Sequence, residues 1–321
     1  MPNDSGLVRR PGGNDVVDAA LSGLMASPKT LPPRLFYDEE GCRLFYEITT
    51  LPEYYLTRTE KRLLSDHARE MVPADVANGT LVEFGGSDED KARYLLDLKT
   101  ERHQPIFKSY VPIDIAAGAL AAMQSRLRGS HPRLNVSPIV ADFTQPLQLS
   151  SPDAPCFGFF PGSTIGNLDP AAAVDFLRSA AASLGGKACL LLGADLRKSP
   201  ETVLPAYNDS AGVTAAFNLN LLRRLNREAH ADFDLTGFRH EAIWNGSASR
   251  IEMHLVARRD QVVTVAGHRF AFGRGESIHT ENSYKHSPEA LISLARTGGW
   301  INDKVWTDRA GLFGIFLFCR T

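Results

Sequence analysis

A chain of 321 residues is long enough for one large α/β domain or for two domains with separate cores. Hydrophobic residues at 43% and charged residues at 22% are ordinary for a globular protein, and a net charge of -2 gives no reason to expect nucleic acid or an anionic membrane as partner. No run of 18 apolar residues occurs, and no apolar stretch follows a basic one near Met1, so neither a spanning helix nor a secretory signal is expected and the cytoplasm is the expected location. Cys42, Cys156, Cys189 and Cys319 are widely scattered with no C-x-x-C pair. That pattern indicates neither a zinc site nor a disulfide framework, and all four are expected as buried thiols.

Residues 1 to about 15 are polar with glycine and proline and predict a mobile arm. A helix is predicted from Asp15 to Met25, broken by Pro32-Pro33. An aromatic-rich run follows, with Phe36, Tyr37, Phe45, Tyr54 and Tyr55, and then an amphipathic helix from Thr57 to Val72. From Leu81 the pattern alternates as in a parallel sheet. Strand Leu81 to Phe84 precedes a helix from Lys91 to Leu98, and strand Tyr110 to Ile115 precedes a helix from Ala117 to Leu127. Leu134 to Val140 then leads into Asp142-Phe143. Strand Cys156 to Phe160 is followed by a helix capped by Asp169, with Pro170 at its first position and Gly185-Gly186 after Leu184. A fifth strand, Ala188 to Leu192, continues into Gly193-Ala-Asp195. The fold class is α/β, a doubly wound half-sheet with its loops at the carboxyl edge.

After Leu196 the pattern changes. Val213 to Glu228 reads as a helix whose Phe217, Leu221 and Leu225 form a core stripe. Ser249 to Val256 and Gln261 to Phe272 predict an antiparallel pair with Ile251, Met253 and Leu255 on one face, which suggests an inserted second domain. Ser287-Pro-Glu opens another capped helix, closed by Gly298-Gly299. The last stretches, Asn302 to Asp308 and the apolar Leu312 to Cys319, predict that the chain end returns to the first sheet.

Thr80-Leu-Val-Glu-Phe-Gly-Gly-Ser-Asp-Glu-Asp-Lys91 reads as strand, tight turn and helix, the element that lets a backbone approach a nucleotide. Asp114 follows the glycines by roughly 28 residues, a little beyond the usual spacing of about 20 for a ribose-binding acid. The third glycine of a dinucleotide fingerprint is missing, and Asp88, Glu89 and Asp90 would repel a pyrophosphate. They would tolerate a sulfonium, so the segment favours S-adenosylmethionine over NAD or FAD. An ordinary turn with a solvated acidic tip is the alternative. Gly162-Ser-Thr-Ile-Gly-Asn167 lies where a strand gives way to a capped helix, and it is either a ligand loop or a turn whose Asn caps its own backbone. Glu281-Asn-Ser283 lies in a polar stretch beside apolar strands, either an orienting wall of a pocket or a solvated loop. The aromatic cluster around Tyr54-Tyr55 suits a ring-bearing or cationic substrate, or a packed core. The nine histidines show no metal-binding spacing, and no metal is expected.

Taken together, Leu51-Pro-Glu-Tyr-Tyr55, Tyr110-Val-Pro, Pro161-Gly-Ser-Thr-Ile-Gly-Asn167, Ala215-Ala-Phe-Asn218, Arg250-Ile-Glu-Met253 and Thr280-Glu-Asn-Ser-Tyr-Lys285 resemble the S-adenosylmethionine-dependent L-histidine Nα-methyltransferases of the ergothioneine pathway, the EgtD type. The resemblance runs from about Leu35 onward. It implies a class I methyltransferase domain of Rossmann-like fold from residues 60–196 plus 285–321, and a discontinuous α+β substrate-binding domain from 8–59 plus 197–284. By it, Gly85, Gly86, Lys91, Asp114, Asp142 and Phe143 bind the donor, with Asp114 on the ribose and Asp142-Phe143 at the adenine. Asn167 and Tyr207 hold the substrate's α-amino and carboxylate groups and carry catalysis, with Gly162 nearby. Tyr54, Glu281 and Ser283 recognise imidazole, and Tyr37, Phe45 and Met253 form the pocket wall. The implied partners are L-histidine and its methylated intermediates, acting on a monomer. An N-methyltransferase of another amino acid or small amine, and a non-catalytic S-adenosylmethionine-binding sensor, are the alternatives.

Overall fold

The computed structural model describes residues 13–320 except 146, 148 and 150–154. The expected N-terminal arm lies outside the described residues up to position 12, and residues 13–15 already belong to a helix. The chain forms two compact units: residues up to Tyr55 with Ser199–Ser283, and Leu56–Lys198 with the chain from Tyr284 onward.

In chain order the helices are α1 (Gly13–Met25), α2 (Glu39–Thr50), α3 (Tyr55–Met71), α4 (Arg93–Leu96), α5 (Ala117–Ser130), α6 (Pro170–Leu184), α7 (Pro200–Val203), α8 (Val213–Glu228) and α9 (Pro288–Thr297). The strands are β1 (Gly79–Phe84), β2 (Phe107–Asp114), β3 (Asn135–Val136), β4 (Ile139–Val140), β5 (Cys156–Phe160), β6 (Cys189–Asp195), β7 (Phe238–Asn245), β8 (Arg250–Ala257), β9 (Gln261–Val265), β10 (His268–Phe272), β11 (Ser277–Tyr284), β12 (Ile301–Thr307) and β13 (Phe313–Cys319).

The second unit is built on one sheet of order β12-β13-β6-β5-β1-β2-β3, with β4 also on β2. β1 pairs in parallel with both β2 and β5, and β5 with β6, which is the doubly wound arrangement the apolar runs predicted. β1 and β5 are buried along their whole length, so both faces of the sheet are covered. The final strand β13 lies antiparallel between β6 and β12, where its unbroken apolar run belongs. α6 turns Ala173, Phe176, Leu177, Ala180, Ala181 and Leu184 toward this core at helical spacing. Its start is set by the Asp169 carboxylate, which accepts from the Ala171 and Ala172 amides at 3.0 and 2.9 Å, and Pro170 needs no partner there.

The first unit packs helices on a three-stranded antiparallel sheet of order β11-β8-β7, with β9 and β10 as a separate hairpin. α8 supplies its centre through Phe217, Leu221 and Leu225, each buried as the helical stripe predicted. The Phe36 ring stacks on Phe217 at 4.4 Å.

Three expectations need correction. The predicted helix from Lys91 to Leu98 shrinks to the single turn α4, because Asp88 accepts from the Asp90 amide at 2.9 Å and folds the acidic tip as turns. β8 pairs with β7 and β11 rather than with Gln261 to Phe272. That stretch folds on itself, reversing at Ala266 and Gly267, both at positive φ. A non-glycine residue carrying such a turn leaves no sequence signal. The polar stretch around Glu281, left open between a pocket wall and a solvated loop, lies in strand β11. Finally, Cys189 and Cys319 form a disulfide: they are 130 residues apart in sequence but opposite each other in the β6–β13 register. Cys42 and Cys156 are free thiols.

Candidate functional site

The residues expected to hold a methyl donor all lie at or after the carboxyl ends of parallel strands in the second unit, the edge where open α/β sheets bind ligands. After β1 the chain stays on the sheet for two more residues, since the Gly85 and Gly86 amides both donate to the Ile113 carbonyl, at 2.8 and 3.2 Å. Gly85 has φ +78°, and a Cβ there would stand 3.5 Å from the Phe143 ring. The Phe143 ring is itself held by Phe160 and Phe176, at 5.5 and 5.8 Å. Glycine therefore leaves open a cradle that any side chain would narrow.

Beneath the turn, Glu83 is fully enclosed and accepts a hydrogen bond from the Tyr110 hydroxyl. Burial pushes its carboxyl up to about 8, so it is neutral at pH 7 despite its acidic residue type. Asp114 ends β2 and accepts from the Ala116 amide at 2.8 Å, and burial raises its pKa as well. Asp142 is fixed by its neighbour, accepting from the Thr144 amide and hydroxyl at 2.9 and 2.6 Å. Two of the three acids at the turn are ion-paired, Glu89 with Arg126 at 2.6 Å and Asp90 with Lys61 at 2.9 Å. Their charge is thus a weaker argument against pyrophosphate than the sequence suggested. The open cradle at Gly85 and the acid at the end of β2 carry more weight.

Asn167 closes a short 3₁₀ turn, Thr164–Asn167, entered through Gly162 at φ +81° and Ser163 at φ +61°. The Ser163 hydroxyl accepts from the Asp195 amide at 2.9 Å. Gly166 lies so close to the Tyr284 backbone that a Cβ would meet its carbonyl oxygen at 2.8 Å. These contacts hold the loop in place.

The residues expected to contact an amino-acid substrate lie, apart from Gly162 and Asn167, in the first unit. Glu281 and Ser283 are two apart on β11 and both nearly enclosed, at 8% and 3% exposure. The Ser283 hydroxyl is 2.8 Å from the Tyr207 hydroxyl. Rings continue outward from Tyr207: Tyr54 at 6.5 Å, Phe45 a further 6.4 Å and Tyr37 a further 5.9 Å. These rings form one connected series of contacts, and Tyr37 and Phe45 also meet Phe217 of the core, at 6.1 and 6.0 Å. Met253 is buried on β8.

Sequence reasoning missed the groups behind Tyr207. The His240 Nε2–H donates to the Tyr207 carbonyl at 2.9 Å, and its Nδ1 accepts from the Asn218 amide at 2.9 Å, which fixes the tautomer. Burial lowers the His240 pKa and keeps the ring neutral. Asn218 Oδ1 in turn accepts from the Thr280 hydroxyl at 2.8 Å. The fold also gathers Glu252, His254 and His279, with one possible ligand atom of each within 4.8 Å. No sequence spacing betrays that group because it spans β8 and β11. Arg250 already sits 2.5 Å from Glu252, and its charge opposes a second cation there. Burial tends to raise the Glu252 pKa, but hydrogen bonds from Asn245 and Arg250 outweigh it and hold the carboxyl down near 2.

Comparison with known proteins identifies the family. Residues 16–320 match a family described as histidine-specific methyltransferase, SAM-dependent. The chain is 42% identical over 301 residues to the histidine N-alpha-methyltransferase of Mycolicibacterium smegmatis, spanning 93% of each chain. It is 40% identical to the protein of the same name from Mycobacterium tuberculosis, again over 93% of each. Among solved structures, an S-adenosylmethionine-dependent methyltransferase from Clostridium acetobutylicum superposes with a TM-score of 0.51 at 10% identity, covering 87% of this chain and 98% of that one, which speaks to the fold alone.

Proposed function

This chain belongs to the SAM-dependent, histidine-specific methyltransferase family, and from that premise we propose that it transfers methyl groups from S-adenosylmethionine to the α-amino nitrogen of L-histidine. Three transfers give Nα,Nα,Nα-trimethylhistidine (hercynine), a precursor for ergothioneine. The observation that carries the substrate reading is the Glu281, Ser283 and Tyr207 array, nearly enclosed and bounded by aromatic rings. A carboxylate and a hydroxyl on one strand suit the two nitrogens of an imidazole, one as acceptor and one as either partner, whichever tautomer binds.

Bound at the strand ends, S-adenosylmethionine supplies an electrophilic methyl on a positive sulfur. The residues there fit it: Gly85 leaves the cradle open, Asp114 can accept from ribose hydroxyls, and Asp142-Phe143 can address the adenine. The nitrogen–carbon bond forms as the carbon–sulfur bond breaks, with the electron pair going to sulfur. The nucleophile must be a neutral amine, so each further transfer needs the ammonium proton released to solvent first. The resemblance gives Asn167 and Tyr207 the task of aiming that nitrogen, and placement supplies much of the acceleration. Neither Glu281 nor Ser283 acts as a general base in this scheme. A cytoplasmic monomer without metal completes the reading, and no helix among the described residues is long and apolar enough to cross a membrane.

The test is a comparison of histidine, tryptophan and histamine as acceptors, followed by release of S-adenosylhomocysteine. Turnover with histidine alone is expected. Equal turnover with tryptophan would assign the pocket to another amino acid. Turnover with histamine would remove the role given to the substrate carboxylate. Binding of donor without turnover on any acceptor would instead make the protein a sensor.

A further inference from the structure

Glu60 is a carboxylate on α3 that the mechanism above does not use, with a side chain only 1% exposed. It accepts from the Gly162 amide through both oxygens, at 2.9 and 3.0 Å, and pairs with the Lys91 ammonium at 2.7 Å. Space for it is made by Gly193 on β6, where a Cβ would fall 2.1 Å from the Glu60 Oε1. The Lys91 nitrogen lies 3.2 Å from where a Cβ on Gly162 would stand. One enclosed acid thus joins the loop after β1 to the loop after β5.

The position of that junction in the sheet gives it a role. β1 has β2 on one side and β5 on the other, and the chain visits β2 first and β5 later, so the switch point where such sheets take ligands lies between β1 and β5. Asp114, the acid suited to a ribose, is at the end of β2. A nucleoside directed there leaves its remaining tail toward β5. In S-adenosylmethionine that tail is an amino acid with a carboxylate, and Lys91 is a cation on that side. Its side chain is 19% exposed, so part of it reaches solvent while its ammonium pairs with the enclosed Glu60.

We propose that Glu60 is a positioning residue for the methyl donor, fixing the Lys91 ammonium and the Gly162 amide so that Lys91 meets the donor's tail carboxylate. This rests on S-adenosylmethionine being the donor. Fixing the ammonium in advance removes the ordering cost of a long flexible side chain from the binding step. Gln at this position keeps the size and can still accept from Gly162, but it removes the charge that holds Lys91.

Calorimetric titration with two probes and no histidine tests the idea. S-adenosylhomocysteine carries the amino-acid tail, and 5′-methylthioadenosine lacks it. Glu60→Gln should weaken S-adenosylhomocysteine by about tenfold, the scale of one charged hydrogen bond, and leave 5′-methylthioadenosine unchanged. Lys91→Met should reproduce that split, and Glu60→Asp, which retains the charge, should recover part of the loss. Should the Gln variant fail to fold, the Asp and Met variants still carry the comparison. Parallel loss of both probes, or loss of neither, in the folded variants would overturn the role and leave Glu60 a packing residue. If the unmodified protein bound neither probe, the donor reading itself would fail and take this inference with it.

Discussion

In the proposed reading, Glu281 and Tyr207 decide which amine is accepted. Glu281 is enclosed beside apolar strands, where an acceptor is worth more than at the surface because water competes less for the same hydrogen. Replacing it by Ala should cost histidine affinity by about 10- to 100-fold, the range of a charged hydrogen bond, with donor affinity unchanged within error. Equal loss of both in a binding titration would refute the assignment. Tyr207→Phe keeps the ring against Tyr54 and removes the hydroxyl that meets Ser283. Steady-state kinetics should show kcat/KM for histidine falling about tenfold while KM for the donor holds. Glu281, Ser283 and Tyr207 could be named from the sequence because they stand in motifs or at matched positions. Glu60 and His240 could not, since their partners are 102 and 33 residues away and neither sits in a motif that suggests a site.

Among the elements, the end of β1 carries an unusual cost. Glu83 has a folded pKa raised from 4.5 to about 8, first by burial and further by Asp88 and Glu60, with Tyr110 and Lys91 acting against it. Between those values the folded chain holds a proton that the unfolded chain has lost, so stability falls as pH climbs through that window. Glu83→Gln removes the titration while leaving an acceptor for Tyr110. The melting temperature of the variant should therefore gain on the parent steadily from pH 5 to pH 8.5. Parallel curves would mean that Glu83 titrates normally. The capped helices α6 and α9 were readable because Asp169-Pro170 and Ser287-Pro288 announce them locally. β7 and β11 were not, because they carry charged and polar residues within strands, and tertiary pairing rather than local propensity decides such segments.

At the scale of the whole chain, contacts distant in sequence stabilise the sheet unit. The Cys189–Cys319 disulfide closes a separation of 130 residues, which in the chain-entropy account contributes about 5 kcal/mol. Reductant, or Cys319→Ala, should lower the urea midpoint accordingly, and no change would mean that the bond is not formed in solution. At the opposite end of β6, Asp195 faces two ammonium groups, Lys285 at 2.8 Å and Lys198, all three almost completely enclosed. Burial pulls the Lys198 pKa down to about 8. Asp195→Asn removes the carboxylate that both lysines face and should cost about 3–5 kcal/mol in chemical denaturation. The parallel order of the sheet was readable from its apolar runs, whereas these pairings depend on a strand register that no local pattern encodes.

The central claim, repeated methylation of the histidine α-nitrogen, is tested most directly by mass spectrometry of L-histidine incubated with the purified protein and S-adenosylmethionine, with S-adenosylhomocysteine quantified in the same samples. The account predicts mono-, di- and trimethylated histidine in succession, three equivalents of S-adenosylhomocysteine per trimethylated product, and fragments that place every methyl on the α-nitrogen. Methyl groups on the imidazole ring, or donor binding with no methylated histidine at all, would contradict it.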